Sequence, residues 1–206
     1  MLFYLHGFRS SPRSIKAQKL AARMTTLGRA RDYECPQLPV SPAEAAQLIH
    51  HRALQVAPNE LTLVGSSLGG YYATWLAELV GCRCVLLNPA IRPDRDLEPY
   101  LGTQTVYGSD ETIIVKPEFL AELRDLVVPA ITRPERYLLV AATGDEVIDS
   151  REMVAKYPGA AQRIIEGSDH GLSDFDAIID DVLAFAGVTE AAPLAPRVAP
   201  LVFQKR

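Results

Sequence analysis

Residues 61–70 read Leu-Thr-Leu-Val-Gly-Ser-Ser-Leu-Gly-Gly, and the next ten positions carry a single charged side chain, Glu78. A short β-prone apolar run, a turn of Gly65-Ser66-Ser67-Leu68-Gly69, and a segment that is apolar nearly all round up to Gly81 predict a buried strand turning sharply into a buried helix. The glycines have a mechanical reason. Ser67 must occupy a strained turn for its hydroxyl to point into a cleft, and side chains at 65 and 69 would collide with each other or with a neighbouring strand. The five-residue pattern alone recurs by chance in chains of ordinary composition. Its flanks carry the inference.

The rest of the chain repeats the rhythm. Apolar, β-prone runs fall at 2–5, 33–38, 61–64, 83–88, 137–142 and 162–166, with helical patterns between several of them. One helix is expected from Pro12 to Gly28, with Ala17, Leu20, Ala21, Met24 and Leu27 on one face. Ser41-Pro42-Ala43-Glu44 supplies an N-cap, a first-turn proline and a capping-box glutamate for another that stops before Pro58. At 174–186, Phe175, Ile178, Ile179, Val182 and Leu183 follow helical spacing, with Ser173 as the expected cap and Gly187 as the stop. Strands alternating with helices imply parallel crossovers. The expected class is therefore α/β: an α/β-hydrolase fold with a mostly parallel central sheet of about six strands, helices on both faces, and a small cap insertion.

That single domain spans 1–187. Residues 91–136, with five prolines and one clear helix between Pro117 and Val127, are too long for an ordinary connection and are read as an insertion over the active-site edge. Its Tyr100, Tyr107, Phe119, Leu120, Leu123 and Leu126 either roof an acyl pocket or merely cover the sheet. Residues 188–206 have three prolines and no periodicity, and are expected to form a flexible tail.

Charge and composition narrow the function. Hydrophobic residues make up 48% and charged residues 22% of 206, with a net charge of −4 and dispersed signs, which argues against nucleic acid as a partner. The apolar start Met1–Leu5 has no basic leader and is too short for a signal peptide or membrane span. Cys35, Cys82 and Cys84 form no metal-site spacing, and Cys82 and Cys84 would share one strand face, which disfavours a bond between them. Reduced thiols in a cytoplasmic protein are expected. No metal and no cofactor is called for: His/Asp clusters are lacking, and the glycine-rich stretch has neither a following Lys-Ser/Thr pair nor a Gly-x-Gly-x-x-Gly pattern.

A serine hydroxyl needs a base, and the base an orienter. Among His6, His50, His51 and His170, only His170 lies downstream of Ser67, in the loop Gly167-Ser168-Asp169-His170-Gly171 between the last strand and the last helix. His50 and His51 sit within a helix. For the acid, Asp145, Glu146 and Asp149 compete. Asp149 opens a helix as a capping residue, whereas Asp145 follows immediately on strand 137–142, within reach of His170, and is preferred. Asp169 is set aside because adjacent side chains diverge. Backbone N–H groups of Leu68 and Phe8 are the expected oxyanion donors, Gly7 letting the loop approach closely. His6 reads as a buried structural residue or as a weaker candidate base.

Five stretches together resemble the YqiA/YcfP-type bacterial esterases: Tyr-Leu-His-Gly-Phe-Arg-Ser-Ser-Pro-Arg-Ser at 4–14, Gly-Ser-Ser-Leu-Gly-Gly-Tyr-Tyr-Ala-Thr at 65–74, Leu-Leu-Asn-Pro-Ala-Ile-Arg-Pro at 86–93, Thr-Gly-Asp-Glu-Val at 143–147 and Gly-Ser-Asp-His at 167–170. The resemblance covers roughly residues 1–186. It implies an esterase of short acyl esters or of thioesters such as acyl-CoA, with its triad on Ser67, Asp145 and His170. The expectation is thus a serine esterase acting on short to medium acyl esters, its partner a small-molecule substrate with no nucleic acid or membrane. The competing expectation is a non-catalytic binding or signalling protein on the same fold.

Overall fold

The computed structural model describes residues 1–190. In chain order the elements are β1 (Leu2–Leu5), α1 (Ile15–Thr26), β2 (Tyr33–Glu34), α2 (Pro42–Ala53), β3 (Thr62–Ser66), α3 (Leu68–Val80), β4 (Arg83–Leu87), α4 (Pro93–Asp96), β5 (Gly102–Thr105), β6 (Thr112–Val115), α5 (Glu118–Asp125), β7 (Tyr137–Ala142), α6 (Ser150–Lys156), β8 (Ala161–Ile165) and α7 (Ile179–Phe185). Six strands form one sheet in the order β2-β1-β3-β4-β7-β8, and every adjacent pair is parallel.

Period-two alternation divides the central strands between two cores. Phe3, Leu5, Leu63, Cys84, Leu86, Leu139 and Ala141 face the side that also buries residues of α2, α3 and α6. Leu2, Tyr4, Val64, Val85, Leu87, Leu138 and Val140 face α1 and α7. A strand hidden on both faces has no polar side to show, which is why these runs are continuously apolar. Strand order reverses direction between β1 and β3, so a crevice opens beyond their carboxyl ends, the place where such sheets bind ligands.

Several boundaries differ from the sequence reading. The first helix starts at Ile15 with Ser14 as cap residue, three residues later than Pro12. The 33–38 run pairs only at Tyr33 and Glu34, since Pro36 has no N–H and the Leu38 N–H goes to His6 Nε2 instead. The 174–186 segment splits into a 3₁₀ turn, Phe175–Ala177, and α7. Ser173 does not cap α7: its N–H and hydroxyl both go to the Asp169 carboxylate. In the 91–136 insertion, the sequence reading lacked the antiparallel ribbon of β5 and β6 and the short α4. Of the expected tail, 191–206 lies outside the described residues.

The insertion is anchored through α5, which packs on α2 and α4. Glu122 of α5 accepts from the Ser41 hydroxyl (2.7 Å) and the Ala43 N–H (3.0 Å), so a carboxylate of the insertion completes the cap of α2. Phe119, Leu120, Leu123 and Leu126 are all buried.

Candidate active site

β3 ends at Ser66 and α3 begins at Leu68, leaving Ser67 between them at φ 54°, ψ −123°. A non-glycine residue in that region costs roughly 1–3 kcal/mol and persists only where the surroundings enforce it. Here the Ser67 N–H donates to Leu87 O (3.1 Å), and Ser67 O accepts from Gly70 N (2.8 Å) and Ala90 N (3.0 Å). The glycines leave no alternative. A Cβ on Gly65 would lie 2.3 Å from Gly69 O, and one on Gly69 would lie 2.0 Å from Leu5 O. The loop after β1 closes over the same turn, Gly7 being so near that its Cβ would sit 3.1 Å from that of Ser67.

His170, in the loop after β8, reaches the serine: Nε2 is 3.1 Å from Ser67 Oγ. Its Nδ1 is 2.8 Å from Asp145 Oδ2. A carboxylate only accepts, so Nδ1 carries the proton and the Nε2 lone pair faces the hydroxyl. The Asp145 side chain is fully buried, and its other oxygen accepts from the N–H groups of Val147 and Ile148, both at 2.8 Å. The structure thus joins Ser67, His170 and Asp145 in one hydrogen-bonded chain. Phe8 and Leu68 line the cleft at Ser67, and their N–H groups donate to no group among the described residues.

The competing candidates have other work. Asp149 caps α6 through Arg151 N (2.9 Å), and hydrogen bonds from Arg151 hold its carboxyl below the usual range. Asp169 binds Ser173. Glu146 accepts the His170 N–H (3.0 Å), fixing that loop without touching the ring nitrogens. His6 is buried, its Nδ1 donating to Gly7 O (3.0 Å) and its Nε2 accepting from Leu38 N–H (3.1 Å). Burial lowers its pKa, so it stays neutral and staples the Phe8 loop in place. His50 and His51 lie in the last turn of α2.

One positioning residue was not assigned from sequence. Asn88, fully buried at φ 43° just past β4, donates to Asp169 O (3.0 Å) and His170 O (3.2 Å) and accepts from Ala142 N (2.8 Å). It ties the His170 loop to the end of β7. The available signal was an Asn-Pro pair directly after an apolar strand, a position where Asn tolerates the left-handed region.

Two clefts meet at Ser67 and His170. One, of about 320 Å³, is walled by apolar groups including Ala90, Leu97, Tyr100, Val147 and Ile148; α5 contributes nothing to it. The other, of about 580 Å³, runs toward the start of α1 past Ser10, Arg13 and Lys16. Tyr107, at the tip of the β5–β6 ribbon, borders both. That tip is clasped by Arg9, whose Nε donates to Thr105 O (2.6 Å), whose carbonyl accepts from Tyr107 N (2.8 Å), and whose guanidinium lies 4.5 Å from the Tyr107 ring centroid.

A parallel sheet flanked by helices, with a serine on a strained strand-to-helix turn at its switch point, is the architecture of the α/β-hydrolase fold. Solved structures share it: a protein of Agrobacterium vitis S4 described as a hydrolase (20% identity, TM-score 0.68, covering 90% of this chain and 87% of that one), mouse alpha/beta hydrolase domain-containing protein 10 (17%, 0.66, 89% and 89%) and a monoacylglycerol lipase of Paleococcus ferrophilus (17%, 0.61, 89% and 94%). Within that class the chain belongs to the uncharacterised protein family UPF0227, the YqiA/YcfP family, whose model matches residues 1–187.

Proposed function

We propose that the protein is a serine carboxylic-ester hydrolase using Ser67, His170 and Asp145. The observation that carries this is the continuous Oγ–Nε2 and Nδ1–Oδ2 geometry, 3.1 and 2.8 Å, at a strained turn opening onto an apolar cleft. As Ser67 Oγ bonds to the acyl carbon, its proton passes to His170 Nε2. The developing oxyanion meets the N–H groups of Phe8 and Leu68, each worth about 2.7–4 kcal/mol in the transition state. Cleavage of the bond to the leaving group returns the proton from His170 to that oxygen or sulfur. Water, deprotonated by His170, then releases the acid and restores Ser67.

The acyl group occupies the cleft of about 320 Å³, whose size suits short to medium chains; acyl thioesters are chemically equivalent substrates for the same steps. The names of structural neighbours, which include a Rhodothermus marinus esterase domain and the Paleococcus lipase, lend support. The substrate is read as a dissolved small molecule, with neither nucleic acid nor membrane as partner and the cytoplasm as the compartment. No helix among the described residues is long and apolar enough to cross a membrane.

The test is hydrolysis of 4-nitrophenyl butanoate with covalent labelling by a fluorophosphonate. Ser67→Ala should lose both, kcat falling by about 10⁶-fold, while Ser66→Ala keeps substantial activity. A wild-type protein that is neither labelled nor active would leave a binding module on this fold as the better reading, and turnover by Ser67→Ala would show that another group is the nucleophile.

A further inference from the structure

The two clefts that meet at Ser67 differ in charge. The acidic side chains lining either of them, Asp96 and Glu146, both face the apolar cleft. The basic ones, Arg13 and Lys16, both face the other. In a chain of net charge −4, that segregation brings two cations to one side of the reacting serine.

Neither cation is spent on a carboxylate. Among the described residues, the Arg13 guanidinium forms no ion pair or hydrogen bond, and Lys16 Nζ donates only to the Gly171 carbonyl, at 2.6 Å. That leaves two ammonium hydrogens beside the His170 loop. Burial draws the Lys16 ammonium down to about 8, against the pull of Asp169 and Asp145, and it remains predominantly charged at neutral pH. The start of α1 opens into the same cleft. Its first turn holds no acidic residue, its cap residue Ser14 bonds to none of the helix amides, and Ser14 Oγ is buried without a hydrogen-bond partner. Uncompensated amides of a helix start favour an anion.

We infer that this cleft receives an anionic leaving group, phosphate or carboxylate, held by Arg13 and Lys16 while the acyl chain lies in the apolar cleft. The inference rests on the esterase reading above. Its geometry follows from that chemistry: the leaving group departs toward the proton on His170, and the Lys16 contact is to the residue immediately after His170. Arg13 and Lys16 are then specificity-determining residues, acting on the alcohol or thiol half of the substrate.

Three butanoyl esters, of glycerol, glycerol 3-phosphate and glycolic acid, share an acyl group and differ in leaving-group charge. The wild-type protein should show kcat/KM about 10-fold or more higher for an anionic ester than for the glycerol ester, falling between about 0.05 and 0.5 M salt as the charges are screened. Arg13→Glu should collapse that ratio through KM, and Arg13→Lys should keep most of it. A glycolate ester that tracks the phosphate ester indicates recognition of charge alone; a phosphate ester favoured by itself indicates recognition of the phosphate. Equal kcat/KM for all three esters, or a ratio unmoved by Arg13→Glu, overturns the inference while leaving the esterase reading intact. Turnover that survives Ser67→Ala overturns Ser67 as the nucleophile, and turnover of none of the esters overturns the esterase reading itself.

Discussion

Asp145 and Asp149 lie four residues apart in one loop-to-helix segment, and their surroundings predict opposite sensitivities. Asp145 is fully buried, with one oxygen on His170 and the other on two amides. Asn at this position can satisfy the two N–H groups only by turning its own NH₂ toward Nδ1–H, which favours the wrong tautomer of His170. Asp145→Asn should therefore lower kcat by about 10⁴-fold, as loss of the orienting carboxylate does in other triads. Asp149→Asn remains a competent cap and should change rate and stability little; comparable losses in both would leave the acid unassigned. Asn88→Asp keeps the acceptor for Ala142 N and loses both donors to the His170 loop. It should depress kcat by about 10-fold or more with little change in KM, since hydrogen bonds to a loop carbonyl set the ring position rather than substrate affinity. Ser67 and Asp145 were legible because each follows an apolar strand end, and His170 because it is the one histidine downstream of Ser67, in the loop before the last helix. Asn88 also follows an apolar strand end, but its function lies in backbone contacts across 81 and 82 residues of chain, which local pattern does not encode.

The elements show where glycine is irreplaceable. Gly69→Ala would put a methyl carbon 2.0 Å from Leu5 O, backbone against backbone, and Gly171→Ala would meet nothing nearer than Asp169 Oδ1 at 3.4 Å. The first should cost more than about 4 kcal/mol or prevent folding, and the second less than about 1 kcal/mol, measured by urea unfolding. Glu78 on α3 tests the anchoring of the insertion's far end. It accepts from Thr132 N (3.1 Å), the Thr132 hydroxyl (2.6 Å) and the Tyr137 hydroxyl (2.5 Å). Burial alone would raise its carboxyl, but these bonds carry it below the usual range. A depressed acid stabilises the fold above its unfolded pKa and loses that contribution as pH falls through the folded value. Glu78→Gln should thus cost about 1–2 kcal/mol at pH 7, and its difference from wild type should shrink below about pH 4. Long, doubly buried strands and capped helices were readable to within a residue or two. The β5–β6 ribbon was not, because each strand has only four residues and the ribbon's inward face, Gln104, Ile113 and Val115, is buried only at Val115, too short an alternation to set a period. The 174–186 split was missed because the apolar spacing is continuous while the backbone leaves the helical region at Ile178, φ −121°.

At the scale of the molecule, the insertion touches the site only through α4, the turn that follows it and the ribbon tip, while α5 is committed to the core. The apolar cleft is limited to about 320 Å³, and each methylene it accommodates should contribute up to about 0.8 kcal/mol before the wall is met. Across 4-nitrophenyl esters of increasing chain length, kcat/KM should rise and then fall, with its optimum at short to medium chains and no jump in rate on micelles. A monotonic rise to long chains would show that the ribbon moves aside as a lipase-type lid. The order of the parts along the chain has a further consequence, for the ribosome rather than for the substrate. Ser67 and its proposed base His170 are 103 residues apart, and His170 arrives on the loop after β8, the last strand of the sheet among the described residues. A nascent chain can hold a fully formed turn at Ser67 and still be unable to attack an ester, because no downstream histidine has yet been translated. On the proposed mechanism, a translation product that stops short of His170 is therefore inert.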